Sequence, residues 1–222
     1  MDHDELCRRT AAVRRQAWST WGTPDDDVLG HLINPMLMGG PRWPNTRQAF
    51  QVVRRPGAVM VASDGLADPS DEEDGATVNG LGIEAYAVTT EPVDDVRNTW
   101  LFDLVWQTSQ NIASFGAEFT EIAQQWPLVS LELYDVSIPE THEDRYFNEE
   151  RVGVLLGLGD DAPPATVAGP LSEIRLLNVK LLTLHELEYV AEHGYPGRQK
   201  LAKRLAVQGD PLVSTLDRPS VI

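Results

Sequence analysis

Four carboxylates stand at or beside the ends of segments that read as strands: Asp64, Asp68, Glu84 and Asp135. Two such groups converging across a cleft can act as general acid and base. Acid-dependent hydrolysis or elimination is therefore the chemistry most directly open to this sequence. Local context offers the same residues a quieter task. Asp64 precedes Gly65 and Asp68 precedes Pro69, and aspartates in such positions accept backbone amides in turns. The structural role is the expected one.

Other reaction centres lack parts. Ser63-Asp64-Gly65 has neither the leading glycine nor the strand–turn–helix setting of a nucleophile elbow. Gly80 and Gly82 form only a fragment of a dinucleotide fingerprint, and a strand rather than a helix follows them. Of the five histidines no two are spaced i,i+4, and His185 and His193 lie more than two helical turns apart, so a shared metal is not expected. Cys7 sits among arginines that are expected to lower its pKa; with no base nearby it reads as inert. No catalytic, cofactor or metal residue is expected.

Charge points elsewhere. The net charge is −16, with 34 acidic against 18 basic residues. A field of that sign repels nucleic acid and anionic lipid and speeds encounter with basic partners. The acids concentrate in one loop, Asp68, Asp71, Glu72, Glu73 and Asp74, which would attract a cationic protein in a salt-sensitive way. Trp106 falls off the inner stripe of its helix and is the aromatic expected to line a second surface, since tryptophan is frequent at binding hot spots. These six residues are the candidate partner-binding set. A single cysteine permits no disulfide framework, and there is no long apolar run or secretory leader. A protein of the cytoplasm is expected. Arginine outnumbers lysine, the bias of a GC-rich bacterial genome.

The elements that must position these residues follow from periodicity. An amphipathic helix over 4–20 is expected to dock through Leu6, Thr10, Val13, Ala17 and Trp21. Residues 23–56 carry five prolines and read as irregular coil, so 1–55 is expected to be a helix plus an irregular arm, and 56–222 the ordered domain. Strands are expected at 57–63 and 81–90, paired antiparallel. In the second, Ile83, Ala85 and Ala87 face one way and Glu84, Tyr86 and Val88 the other. A helix over 96–115, capped by Asp94 or Asp95, should end at Gly116. Strands follow near 129–133, 152–158 and 174–182. Thr183 and Glu186 fit a capping box opening a helix that stops at Gly194, and Pro196 opens another. A last short strand is expected at 212–215. Strands and helices segregate instead of alternating, which gives an α+β class with a mostly antiparallel sheet and helices packed on it.

Placed in order, the segments VMVASDGLADP (59–69), NGLGIEAYAVTTE (79–91), NTWLFDLVWQTSQNIASFG (98–116) and IRLLNVKLLTLHELEYVAEHG (174–194) resemble the suppressor-of-fused family. There a "GLSD" turn precedes a "GFGFEL" strand, then a tryptophan-opened helix, then a strand leading into a T-x-x-E capped helix. RQKLAKRLAV and GDPLVSTLDRPSV continue the order, so the likeness covers about 56–221. Ala67 replaces the usual serine and Ile83 the usual phenylalanine. The large C-terminal extension of the animal proteins has no room here, so the resemblance does not extend to an animal-type clamp. The resemblance implies a non-enzymatic binding fold. Animal members sequester a transcription factor of the hedgehog pathway, and stand-alone bacterial members look like immunity proteins that neutralise a toxin domain.

The expectation is therefore a protein-binding domain that neutralises or sequesters a basic partner, immunity-protein-like within a bacterial toxin system. Two alternatives stay open: a hydrolase or lyase using Asp64, Asp68 or Glu84, and a structural subunit of a larger assembly.

Overall fold

The computed structural model describes residues 2–72, 75–159 and 161–222. Helix α1 (His3–Ser19) opens the chain, with Asp2 accepting the Glu5 amide as its cap. Short strands β1 (Thr23–Pro24) and β2 (Leu29–Gly30) lead to β3 (Ala49–Arg55) and β4 (Ala58–Asp64), and a two-stranded pair β5 (Ser70–Asp71) and β6 (Thr77–Val78) precedes β7 (Ile83–Thr89). Helices α2 (Trp100–Phe115) and α3 (Ala117–Gln125) follow, then β8 (Val129–Leu133), the single-turn α4 (Glu143–Tyr146), β9 (Phe147–Asn148), β10 (Arg151–Leu156), β11 (Thr166–Ala168) and β12 (Glu173–Leu181). Helix α5 (Leu184–Gln208) closes the regular structure.

The main sheet runs β1-β3-β4-β7-β12-β10-β8, with β2, β9 and β11 paired at its margins. Every pairing is antiparallel except β7 with β12. The class is thus α+β and mostly antiparallel, as the segregated pattern indicated.

The irregular reading of 23–56 needs correction over its last part. Ala49–Arg55 is a full strand, in register with β4 from Ala49↔Asp64 to Arg55↔Ala58. The Pro56 that read as punctuation is half of its turn. Proline fixes φ for the first corner and Gly57 takes φ +75° at the second. Between Pro44 and Pro56 no proline interrupts the chain, so Ala49, Phe50, Val52 and Val53 are free to pair and bury. Helix α2 also starts later than expected. Residues Val96–Asn98 form a 3₁₀ turn capped by Asp95, and the α-helical cap is Thr99, whose hydroxyl accepts the Phe102 amide. The expected strand at 212–215 shrinks to one bridge between Val88 and Val213.

The central strands are covered on both sides. On β7, Ile83, Ala85 and Ala87 pack with Leu101, Leu104, Val105 and Ile112 of α2. The alternate residues Tyr86 and Val88 join Met60, Ala62, Ile174 and Leu176 beneath Ala17 and Trp18 of α1. A third cluster lies under α5, where Leu187, Val190, Leu201 and Leu205 meet Leu155 and Leu182. The capping box at Thr183 and Glu186 is present, and a non-helical Gly194 kinks α5 just before Pro196.

Candidate functional site

Period two on β7 sends Glu84 to the α1 side of the sheet, and helical spacing on α1 brings Arg14 down onto it. Arg14 is 1 % exposed. Its Nη1 lies 3.0 Å from Glu84 Oε1, and its Nη2 lies 2.7 Å from both Asp64 Oδ1 and Asp68 Oδ1. Arg47, which leads into β3, pairs with the other Asp64 oxygen and donates to the Asp64 carbonyl at 3.3 Å. Three of the four strand-end carboxylates thus converge, but on an arginine.

Glu84 is fully buried and accepts every bond within reach. The Gly65 and Ala67 amides donate to Oε1, each at 3.1 Å, and the Ser63 hydroxyl donates to Oε2 while accepting the Ala85 amide at 2.9 Å. Gly65 allows the approach: its φ is +154°, and a Cβ there would stand 2.5 Å from the Arg47 carbonyl oxygen. Burial pushes the Glu84 carboxyl up to about 7 against the pull of Arg14. Burial alone would raise Asp64 too, but Arg14 and Arg47 outweigh it and hold that carboxyl below the usual range. Burial would weaken the Arg14 guanidinium's hold on its proton; the three carboxylates reverse the sign. A carboxylate so occupied has no lone pair aimed at a substrate, and α1 roofs the cluster. The arrangement fastens α1 to the sheet.

Asp135 joins none of this. It sits at φ +54° just past β8 and lines a groove of about 590 Å³ with Glu143, Asp144, Phe147 and Glu150. Cys7 is half-buried, and its thiol is pushed up by burial, by Asp68 and by Asp4; Arg14 is the smallest influence on it. The expectation that neighbouring arginines lower it is therefore reversed, because burial, then Asp68 and Asp4, outweigh the pull of Arg14. Among the described residues no three histidine, cysteine or acidic side chains are grouped to hold a metal ion, and no helix is long and apolar enough to cross a membrane.

The candidate partner-binding residues scatter. Asp68 is turned inward onto Arg14. Asp71 is exposed and accepts the Thr77 hydroxyl at 2.7 Å; Glu72 is exposed beside it, and its amide donates to the Ala76 carbonyl. Glu73 and Asp74 lie outside the described residues. Trp106 is half-buried, its ring 6.1 Å from Phe102 and 4.9 Å from His31.

His31 marks a surface that periodicity did not reveal. In the segment HLINPMLM (31–38), Leu32 is 102 % exposed, Met38 78 %, Leu37 71 % and Ile33 59 %. The segment is held in shape while these side chains point out. Asn34 caps the 3₁₀ turn Pro35–Met38 by accepting the Met36 amide, its Nδ2 donates to the Thr46 carbonyl, and the Gly40 amide returns to the Pro35 carbonyl at 2.9 Å. Arg97 ties Gly30 to the start of α2 at 3.3 Å. Single exposed apolar residues are ordinary; here four fall within seven residues, two of them, Leu37 and Met38, in the 3₁₀ turn itself. The one sequence signal was a run of large apolar residues between turn formers with neither strand nor helix period.

No family model matches this sequence, and no curated protein matches it. Solved structures do. One is described as the Sufu–Fu complex crystal structure, with a TM-score of 0.62 at 16 % identity over 97 % of this chain and 92 % of that one. Another, Drosophila Suppressor of Fused, matches 97 % of this chain and 51 % of its own length, with a TM-score of 0.56 at 14 % identity.

Proposed function

We propose that this chain, a suppressor-of-fused-like fold, is a non-enzymatic protein-binding domain that neutralises or sequesters a basic partner by occlusion. The observation that carries the reading is the fate of Asp64, Asp68 and Glu84. The residues best placed for acid–base work are spent on Arg14 under α1, while the chain as a whole carries a net charge of −16, most of it outside that cluster. A second support is the neighbouring fold, which in the Sufu–Fu complex accompanies a protein partner.

The specific form we propose is an immunity-type role against a basic toxin domain, acting in the cytoplasm, with Asp71, Glu72, Glu73, Asp74 and Trp106 on or near the contact surface. Acids facing a cationic protein raise the association rate, and the effect fades as the Debye length shrinks with salt. Co-expression with a toxin encoded beside this chain tests it. Growth should be restored, and the two proteins should co-purify at low salt and separate more readily at 0.5 M salt. Growth arrest that persists with both proteins present and folded would reject the immunity role.

A further inference from the structure

We infer that the outer face of the second half of α5 is a docking site for an acidic segment of a partner protein, one whose carboxylates meet Lys200, Lys203 and Arg204 and whose aliphatic side chain enters the groove beside Val207 and Val221. The inference goes beyond the basic-partner reading, since it concerns another element and a segment of the opposite charge.

Helical spacing builds the site. Leu201 and Leu205 are buried in the cluster beneath α5. Lys200, Lys203, Arg204, Val207 and Gln208, at i, i+3, i+4, i+7 and i+8, form the stripe left to solvent. With Val221 of the tail they line one open groove of about 440 Å³. The tail is fastened there, because the Arg204 guanidinium donates to the Val221 carbonyl at 2.8 Å. Val207 is 90 % exposed and gives the groove part of an apolar lining.

The charge of this groove is the reverse of the chain's. Residues 198–209 hold four bases and no acid in a protein of net charge −16, and no acid lines the groove. Lys200 lies 5.5 Å from the Tyr189 ring. The ion pairs of α5 join Glu192 to His193 and Glu186 to Arg218; among the described residues none reaches Lys200, Lys203 or Arg204. Like charges at i,i+3 and i,i+4 repel, so Lys200 is set against both Lys203 and Arg204, and a carboxylate brought between them relieves that repulsion. The −16 field opposes a broad anionic surface such as a membrane or a duplex. A short acidic segment meets mainly the nearby cations, because exposed charges farther away than about 8 Å are largely screened at physiological salt. Val207 and Val221 favour a segment that also carries an aliphatic side chain, since phosphates alone would leave that lining in water.

A fluorescent peptide of about twelve residues, leucines flanked by glutamates, is the probe, and a serine–glutamate peptide of equal charge is the control. Anisotropy should show the glutamate–leucine peptide bound at low salt and released as salt rises. Lys200→Gln/Lys203→Gln should weaken binding at least tenfold with an unchanged melting temperature, and Val207→Ser at least threefold. Should the double variant melt earlier, Lys203→Gln alone should still weaken binding at least threefold. Arg8→Gln/Arg42→Gln removes the same two charges from other exposed positions and should leave binding as it was. Absence of binding overturns the site. So does binding that survives loss of the two lysines, falls equally with loss of Arg8 and Arg42, or is matched by the serine peptide. Phosphatidylserine vesicles or polyuridylate held through Lys200 and Lys203 more tightly than the peptide also overturn it.

Discussion

Arg14 and Asp68 are 54 residues apart, yet Nη2 of one lies 2.7 Å from Oδ1 of the other in a site closed to solvent. The contact joins the first helix to the turn after β4, and the same nitrogen serves Asp64. Breaking one side of a buried charge set leaves the other side unpaired in a poorly polar interior, which costs more than the pair itself contributes.

Arg14→Met strands three carboxylates, so unfolding free energy should fall by about 3–5 kcal/mol. Urea unfolding followed by tryptophan fluorescence measures it. Arg47 is 40 % exposed at its side chain, and Arg47→Ala should cost no more than about 1 kcal/mol by comparison. Equal losses for the two would contradict the assignment of Arg14 as the fastener of α1.

Glu84 and Asp64 should give opposite pH signatures. The Glu84 carboxyl is raised from 4.5 to about 7 in the folded chain, so the unfolded chain releases that proton first. Its effect is absent below about 4.5, and stability is lost as pH climbs to 7. Glu84→Gln removes this slope, and the stability of the parent relative to the variant should decline across that window by on the order of 3 kcal/mol. Asp64 is lowered, so it contributes stability above its unfolded pKa that disappears as pH falls through the folded one. Denaturant titrations at pH 5, 6, 7 and 8 for the parent and Glu84→Gln test the first claim; parallel curves would refute it.

Gly65→Ala places a Cβ 2.5 Å from the Arg47 carbonyl oxygen at a φ of +154°. Backbone must shift, and the Gly65 and Ala67 amides that serve Glu84 move with it. A loss of at least about 2 kcal/mol is expected. An unchanged melting temperature would show that this turn is looser than its contacts imply.

Thr183→Ala removes one half of the capping box of α5 and should cost about 1 kcal/mol. Glu186→Ala should cost several times more, because Glu186 also holds Arg218 at 2.7 Å and accepts the Val221 amide at 3.1 Å, pinning the C-terminal tail. Thermal melts of the two variants rank them. A larger loss for Thr183→Ala would reverse the assignment.

Local grammar was legible where side-chain period and turn chemistry act within a few residues. The alternation along 83–89 assigned Ala85 and Tyr86 to opposite faces. Thr183 with Glu186 announced the start of α5, and Gly194, read as the end of one helix before another opened at Pro196, is where α5 leaves helical geometry. The collinear blocks resembling the suppressor-of-fused family fit the fold found among solved structures. The strand 49–55 was hidden because prolines on both sides resembled coil, although one of them builds the hairpin turn.

What the chain's own order of residues determined, then, is the presence of most helices and strands and which side of each is apolar, because those choices depend on neighbours one to four positions away. Tertiary structure alone decided that β7 lies beside β12 in parallel, that Arg14 collects Asp64, Asp68 and Glu84, and that Leu32 and Leu37 stay in water. The first two of those outcomes turn on which distant surfaces meet. A pattern of period two or 3.6 says that a face will be buried, and carries no record of what buries it.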